Sequence, residues 1–109
     1  MAKTQSKSSA EFNSKNVTLF KEWKETQNPL IRNQLLEENM GLIKKIAWGL
    51  WRGRKSKIQF DDLCQEGVLG FLKGLPKYDP EKSSFSSYIG LWITAYVLCE
   101  LKKDFLLRI

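Results

Sequence analysis

The chain has 109 residues, 42% hydrophobic and 28% charged, with a formal net charge of +6. That length supports one domain with one core, and that composition excludes a disordered chain. The longest apolar stretch, Tyr88 to Cys99, is interrupted by Gly90 and Thr94 and falls short of the roughly 20 residues a membrane span requires.

Residues 1–15 are polar and rich in Ser and Lys, with Phe12 the lone large apolar side chain. They read as a flexible N-terminal tail without the apolar run of a secretory signal, and residues 16–109 as the folded domain. Asn16 or Thr18 is positioned to cap a short helix from Val17 to Thr26, with Leu19, Phe20 and Trp23 on one face. Asn28-Pro29 is a start signal, Asn as cap and Pro at the first helical position. From there Leu30, Ile31, Leu35, Leu36, Met40, Ile43, Ala47, Leu50 and Trp51 predict one continuous amphipathic helix ending near Gly53.

A basic loop follows, Arg52-Gly-Arg-Lys-Ser-Lys57. Asp61 or Asp62 then caps the next helix, with Phe60 placed as the apolar residue of a staple. That helix carries Leu63, Cys64, Val68, Leu69, Phe71, Leu72 and Leu75. Gly67, Gly70 and Gly74 recur on it at helical spacing, which predicts close approach of another helix or a partner. Pro76 and Pro80 bracket a turn, and a last helix starts near Ser84 to Ser86 and runs to the chain end. The predicted fold is all-α, a compact bundle of three main helices plus a short N-terminal one.

The chain contains no histidine, which excludes His-based acid–base catalysis, His triads and His metal sites. Cys64 and Cys99 lack metal-binding spacing and lie in apolar patterns, so both read as reduced, buried thiols of a cytosolic protein. No enzyme activity, metal or cofactor is expected. Positive charge is concentrated early: residues 1–57 carry 12 Lys/Arg against 5 Asp/Glu, and residues 58–109 carry 6 against 7. Such asymmetry suits a polyanion partner.

The last helix is apolar nearly all round. Phe85, Tyr88, Ile89, Trp92, Tyr96 and Cys99 fall on one face, and Leu91, Ala95, Leu98 and Phe105 near a second. A helix of this kind is either wholly buried or gives one face to a ligand. Aromatic side chains beside basic ones suit single-stranded nucleic acid, because bases stack on rings while Lys and Arg neutralise phosphates. Core packing or a protein interface is the competing reading. In Asp61-Asp62-Leu63-Cys64-Gln65-Glu66-Gly67 the carboxylates have no complementary cluster for a metal or catalytic site. An acidic docking face for a basic partner accounts for them better.

From about Arg32 to Leu101 the chain resembles region 2 of bacterial sigma factors of the major, housekeeping-like class. The resemblance rests on Glu38-Asn39-Met40-Gly41-Leu42-Ile43 with Ile46-Ala47, then Asp62-Leu63-Cys64-Gln65-Glu66-Gly67 with Gly70-Phe71-Leu72-Lys73. Lys77-Tyr78-Asp79-Pro80, Phe85-Ser86-Ser87-Tyr88 and Trp92-Ile93 complete it. It implies a helical domain that docks on the coiled coil of the largest catalytic subunit of RNA polymerase and captures the melted promoter −10 element. By resemblance Asp61, Asp62, Gln65 and Glu66 face the polymerase. Tyr88 stacks beside a flipped base, Asn39 with Met40 and Leu42 forms the pocket for the last −10 base, and Trp92 is half of a tryptophan wedge. Lys82, Phe85 and Ser87, in and before the Phe-Ser-x-Tyr segment, join the DNA-binding set, as do Arg52, Arg54, Lys55 and Lys57 of the basic loop.

The sequence also departs from that pattern. Leu91 stands where the family has its first tryptophan. Thr94, Ala95, Leu98 and Cys99 replace polar positions that read the duplex, and Ala95 and Leu98 cannot supply bidentate contacts to base edges. The chain ends at Ile109 without a domain of the kind that reads the −35 element. Either the chain is one part of a split factor, with a separate subunit carrying a −35-binding helix-turn-helix as partner, or it is a divergent initiation factor or a truncated form; core polymerase and partly single-stranded promoter DNA are the partners expected in each case. The alternative from another class is an adaptor or inhibitor that occupies the sigma site on polymerase without reading DNA.

Overall fold

The computed structural model describes residues 9–54 and 56–107. The leading helix α1 spans Ser9–Thr26, so it starts well before Val17 and takes in residues 9–15 of the expected tail; residues 1–8 lie outside the described part. Its buried side chains are Asn16, Phe20 and Trp23. Gln27 ends it with a positive φ of 54°, and its N–H still donates to the Trp23 carbonyl at 2.7 Å. Asn28 then caps α2, Pro29–Glu38, as expected: its side chain accepts from the Leu30 N–H at 2.9 Å, with Pro29 in the first turn.

The continuous helix expected from Pro29 to Gly53 is instead two, α2 and α3 (Met40–Trp51). Asn39 makes the break. In a regular helix its N–H would bond the carbonyl of Leu35. Here the side-chain Nδ2 donates to that carbonyl at 2.8 Å, and the displaced N–H donates to Leu36 at 3.0 Å. This is the competition with backbone that makes Asn a poor helix-interior residue. The same Nδ2 donates to Oδ1 of Asn16 at 2.9 Å, so α1 helps set the corner. Gly53, with φ of 78°, follows the end of α3 near the expected stop.

Helix α4 spans Phe60–Gly74 and starts from Gln59, which makes no side-chain cap bond. Asp61 and Asp62 are therefore not caps. They sit in the first turn, exposed, where negative charge complements the helix dipole. Phe60 packs against α3, with its ring 5.7 Å from both Trp48 and Trp51, not as a staple within its own helix. A 3₁₀ turn, Leu75–Lys77, follows. The hydroxyl of Tyr78 donates to the Ser83 carbonyl at 2.8 Å and closes the next turn.

The last helix, α5, spans Phe85–Leu107. Its first N–H, on Phe85, donates to Oδ1 of Asn13 at 2.7 Å, so α1 supplies a cap from 72 residues away. Phe85, Ile89, Ile93, Val97 and Leu101 are all buried. These five residues, spaced four apart, are the core face; of the face read from the sequence only Phe85 and Ile89 lie on it, and Ile93 and Val97, placed on neither apolar face, complete it with Leu101. Cys99 is exposed, against expectation, whereas Cys64 is buried. Among the described residues no strand occurs, and the fold is the expected all-α bundle.

The glycines of α4 let its neighbours approach closely, α5 at Gly70 and Gly74 and both α3 and α5 at Gly67. A methyl group on Gly67 would lie 2.8 Å from the Ile43 side chain. On Gly70 it would lie 2.6 Å from the backbone oxygen of Trp92, and on Gly74 2.5 Å from the Trp92 ring. The expectation that these residues mark a close helix approach holds at all three.

The two thiols differ in a way chemistry can read. Burial pushes the Cys64 thiol above its ordinary pKa, and the negative charge of Asp61 adds to this. Since the thiolate is the reactive form, one thiol per chain, Cys99, reacts promptly with Ellman's reagent in the native protein. The second reacts only in denaturant. Prompt reaction of both would show that Cys64 is accessible.

Candidate functional site

Three surfaces collect the residues singled out in the sequence. The first is the start of α4. Asp61, Asp62 and Gln65 are exposed and Glu66 is half-buried. They lie on adjacent turns of one helix, free to meet a cationic partner. Among the described residues no group of three or more Cys, Asp or Glu side chains converges as metal ligands would.

The second is the α3–α4 connection. Arg52, Arg54 and Lys57 are exposed, and Nε of Arg54 donates to the Leu50 carbonyl. Lys55 lies outside the described residues. Beside this loop Trp48 leaves 49% of its surface exposed, with its ring 5.6 Å from Trp51 and edge-on to Phe60. The sequence reading gave Trp48 no role. The signal was available in two tryptophans three residues apart at the lip of a basic loop.

The third surface joins the 3₁₀ turn to α5. Tyr78, Tyr88 and Trp92 form a row, with ring centres 5.2 Å and 6.5 Å apart. Tyr88 and Trp92 are half-buried. The Tyr88 hydroxyl donates to the Gly74 carbonyl at 2.8 Å, and the Trp92 ring lies over Gly74. Nζ of Lys77 stands 5.1 Å from the centre of the Trp92 ring, within reach of a cation–π attraction. The sequence reading named Lys77 within the Lys77-Tyr78-Asp79-Pro80 segment but gave it no role. Lys82 and Ser87 are exposed, and Ser87 accepts from the Ser84 hydroxyl at 2.9 Å.

Two members of the expected DNA-binding set are not on any surface. Phe85 has no exposed area and packs edge-on against Tyr78 and Phe71, with ring centres 5.1 Å and 6.0 Å away. Asn39 is likewise wholly buried, its amide nitrogen committed to Asn16 and Leu35. Both hold the fold and neither can touch a base in this conformation. Met40 and Leu42, beside Asn39, are half-buried against the core.

The aromatic row is thus anchored at its buried end by Tyr78 and open at Tyr88 and Trp92. Rings held this way offer faces to planar, apolar groups, and Lys77 places positive charge at the Trp92 ring. The α4 carboxylates offer the opposite charge on another helix.

Comparison with known proteins identifies the family. Residues 35–104 match the Sigma-70 region 2 family. RNA polymerase sigma factor FliA of Pseudomonas aeruginosa is 36% identical over 73 residues, covering 66% of this chain and 30% of the relative. Sigma factor RpoS of Coxiella burnetii is 41% identical over 68 residues, covering 61% of this chain and 18% of the relative. Sigma factor RpoH of Zymomonas mobilis is 31% identical over 91 residues, covering 83% of this chain and 28% of the relative. The chain therefore spans less than a third of the length of these relatives. With most of α2 through α5 inside the matched segment, the chain belongs to the Sigma-70 region 2 family.

Proposed function

We propose that the chain is a non-enzymatic transcription initiation subunit that docks on core RNA polymerase and captures the melted −10 element of a promoter. The observation that carries this reading is the Tyr78–Tyr88–Trp92 row with Lys77 at its end. The half-buried rings of Tyr88 and Trp92, with the Lys77 cation beside them, are what an unstacked base and its phosphate require. The exposed carboxylates of Asp61 and Asp62 supply the polymerase contact. A core polymerase and promoter DNA as partners place the work in the cytoplasm. Among the described residues no helix is long and apolar enough to cross a membrane.

Docking is tested by Asp62→Lys. The residue is exposed, so the variant loses at most about 1 kcal/mol of stability through the helix dipole. Its affinity for core polymerase is expected to fall by about tenfold or more, because like charges at an interface repel. Unchanged co-purification with polymerase would remove α4 from the interface.

One observation favours a second reading, an adaptor or inhibitor that holds the sigma site without reading DNA. Leu91, Ala95 and Leu98 are exposed on α5, and none of them can recognise a base pair.

A further inference from the structure

We propose that the outer face of α5 docks an acidic amphipathic helix of a partner protein. Leu91, Ala95, Leu98 and Lys102 follow one another at spacings of four, three and four, one stripe of a helix. All four are exposed, and the stripe lies opposite the buried residues Ile89, Ile93 and Val97. Leu91 leaves 72% and Leu98 40% of its surface uncovered. At its C-terminal end the stripe drops into a shallow cleft of about 380 Å³, lined by Leu98, Leu101, Arg54 and Lys102. Leu101 is buried and forms the floor. Arg54 comes from the α3–α4 connection, so the cleft is built between two parts of the fold.

An apolar ridge that ends in an apolar cleft suits a helix with large aliphatic side chains on one face. The charge at the rim fixes the sign of its flanks. Arg54 and Lys102 are both cationic, while Lys103 already faces Glu100 at 3.7 Å. A partner helix with Asp or Glu beside its anchors would pair with Arg54 and Lys102 as it buries Leu98. Two other occupants fit worse. A second copy would bring its own Arg54 and Lys102 to the same rim, in a chain of net charge +6. Duplex DNA would meet a ridge without hydrogen-bonding groups along Leu91, Ala95 and Leu98. The inference stands on this face alone and does not depend on promoter capture.

The test titrates the full chain, ¹⁵N-labelled, with a synthetic amphipathic peptide carrying leucines at helical spacing and glutamates along both flanks. The same peptide with lysines in place of glutamates and a short DNA duplex are titrated in parallel. The expected result is amide shifts centred on Leu91, Ala95, Leu98, Lys102 and Arg54, with affinity for the lysine peptide lower by at least about tenfold. Leu98→Glu abolishes the shifts, and Arg54→Glu with Lys102→Glu reverses the preference between the peptides. Both sets of changes are at exposed positions, and the amide spectrum itself reports that the fold is kept. Equal affinity for the two peptides, shifts on other faces, duplex DNA engaging this stripe, or concentration-dependent self-association through it would each overturn the proposal.

Discussion

Replacing Phe85 with Ala is expected to destabilise the domain by about 3–5 kcal/mol, a large share of the total stability of a domain this size. The residue has no exposed surface and sits edge-on between Tyr78 and Phe71. Its removal leaves a cavity at the point where α5 begins and where Asn13 of α1 caps the helix. Few neighbours can collapse into that space, because Tyr78 is held by its hydroxyl to Ser83. Thermal or urea unfolding measures the effect. A Phe85→Ala protein with the melting temperature of the parent would show that the aromatic junction of α4, α5 and the turn is not the core.

The second large effect is expected from Gly70→Ala. On an exposed helix this change would gain up to about 1 kcal/mol of helix propensity. Here the added methyl would lie 2.6 Å from the backbone oxygen of Trp92, and a backbone cannot rotate away as a side chain can. Helices α4 and α5 must separate along their length, which loosens the packing of Ile89, Ile93 and Phe71 together. Overpacking of this kind costs about 1–3 kcal/mol or more. The melting temperature should fall by roughly 10 °C, taking about 4–8 °C per kcal/mol for a domain near this size. Gly41→Ala is the control, since a methyl there meets nothing within 4 Å, and it should be neutral or slightly stabilising. Equal melting of both variants would contradict the close α4–α5 contact.

These two residues show what the sequence could and could not convey. The glycine spacing on α4 pointed to a close neighbour because glycine in a helix is costly without one. Asn28-Pro29 likewise announced a helix start through local chemistry alone. The break at Asn39 was not readable that way. The apolar pattern runs straight through it, and the competing bonds involve Asn16 on a different helix. The core face of α5 was ambiguous for another reason. Where a helix is apolar on every side, periodicity cannot choose a face, and the aromatic residues drew attention from Ile93 and Val97. The family resemblance pointed to the acidic start of α4 and to Tyr88 and Trp92 on α5, and the structure leaves Asp61, Asp62 and Gln65 exposed and Glu66, Tyr88 and Trp92 half-buried. It also nominated Asn39 and Phe85, whose burial depends on α1 and on the turn before α5. The cation over Trp92 came into view only when the 3₁₀ turn brought Lys77 across from α5.

On the proposed function the open end of the aromatic row holds an unpaired promoter base, and Trp92→Leu removes that hold. Leucine keeps an apolar side chain over Gly74 and removes the ring. The full chain, bound to core polymerase on promoter DNA, is probed by permanganate reactivity of thymines across the −10 element, with thermal melting of the free chain alongside. A stacked base is worth about 1–3 kcal/mol, so thymine reactivity is expected to fall about tenfold with only a small change in melting temperature. Undiminished promoter opening by a Trp92→Leu protein that still binds polymerase would contradict it and leave the adaptor reading in its place.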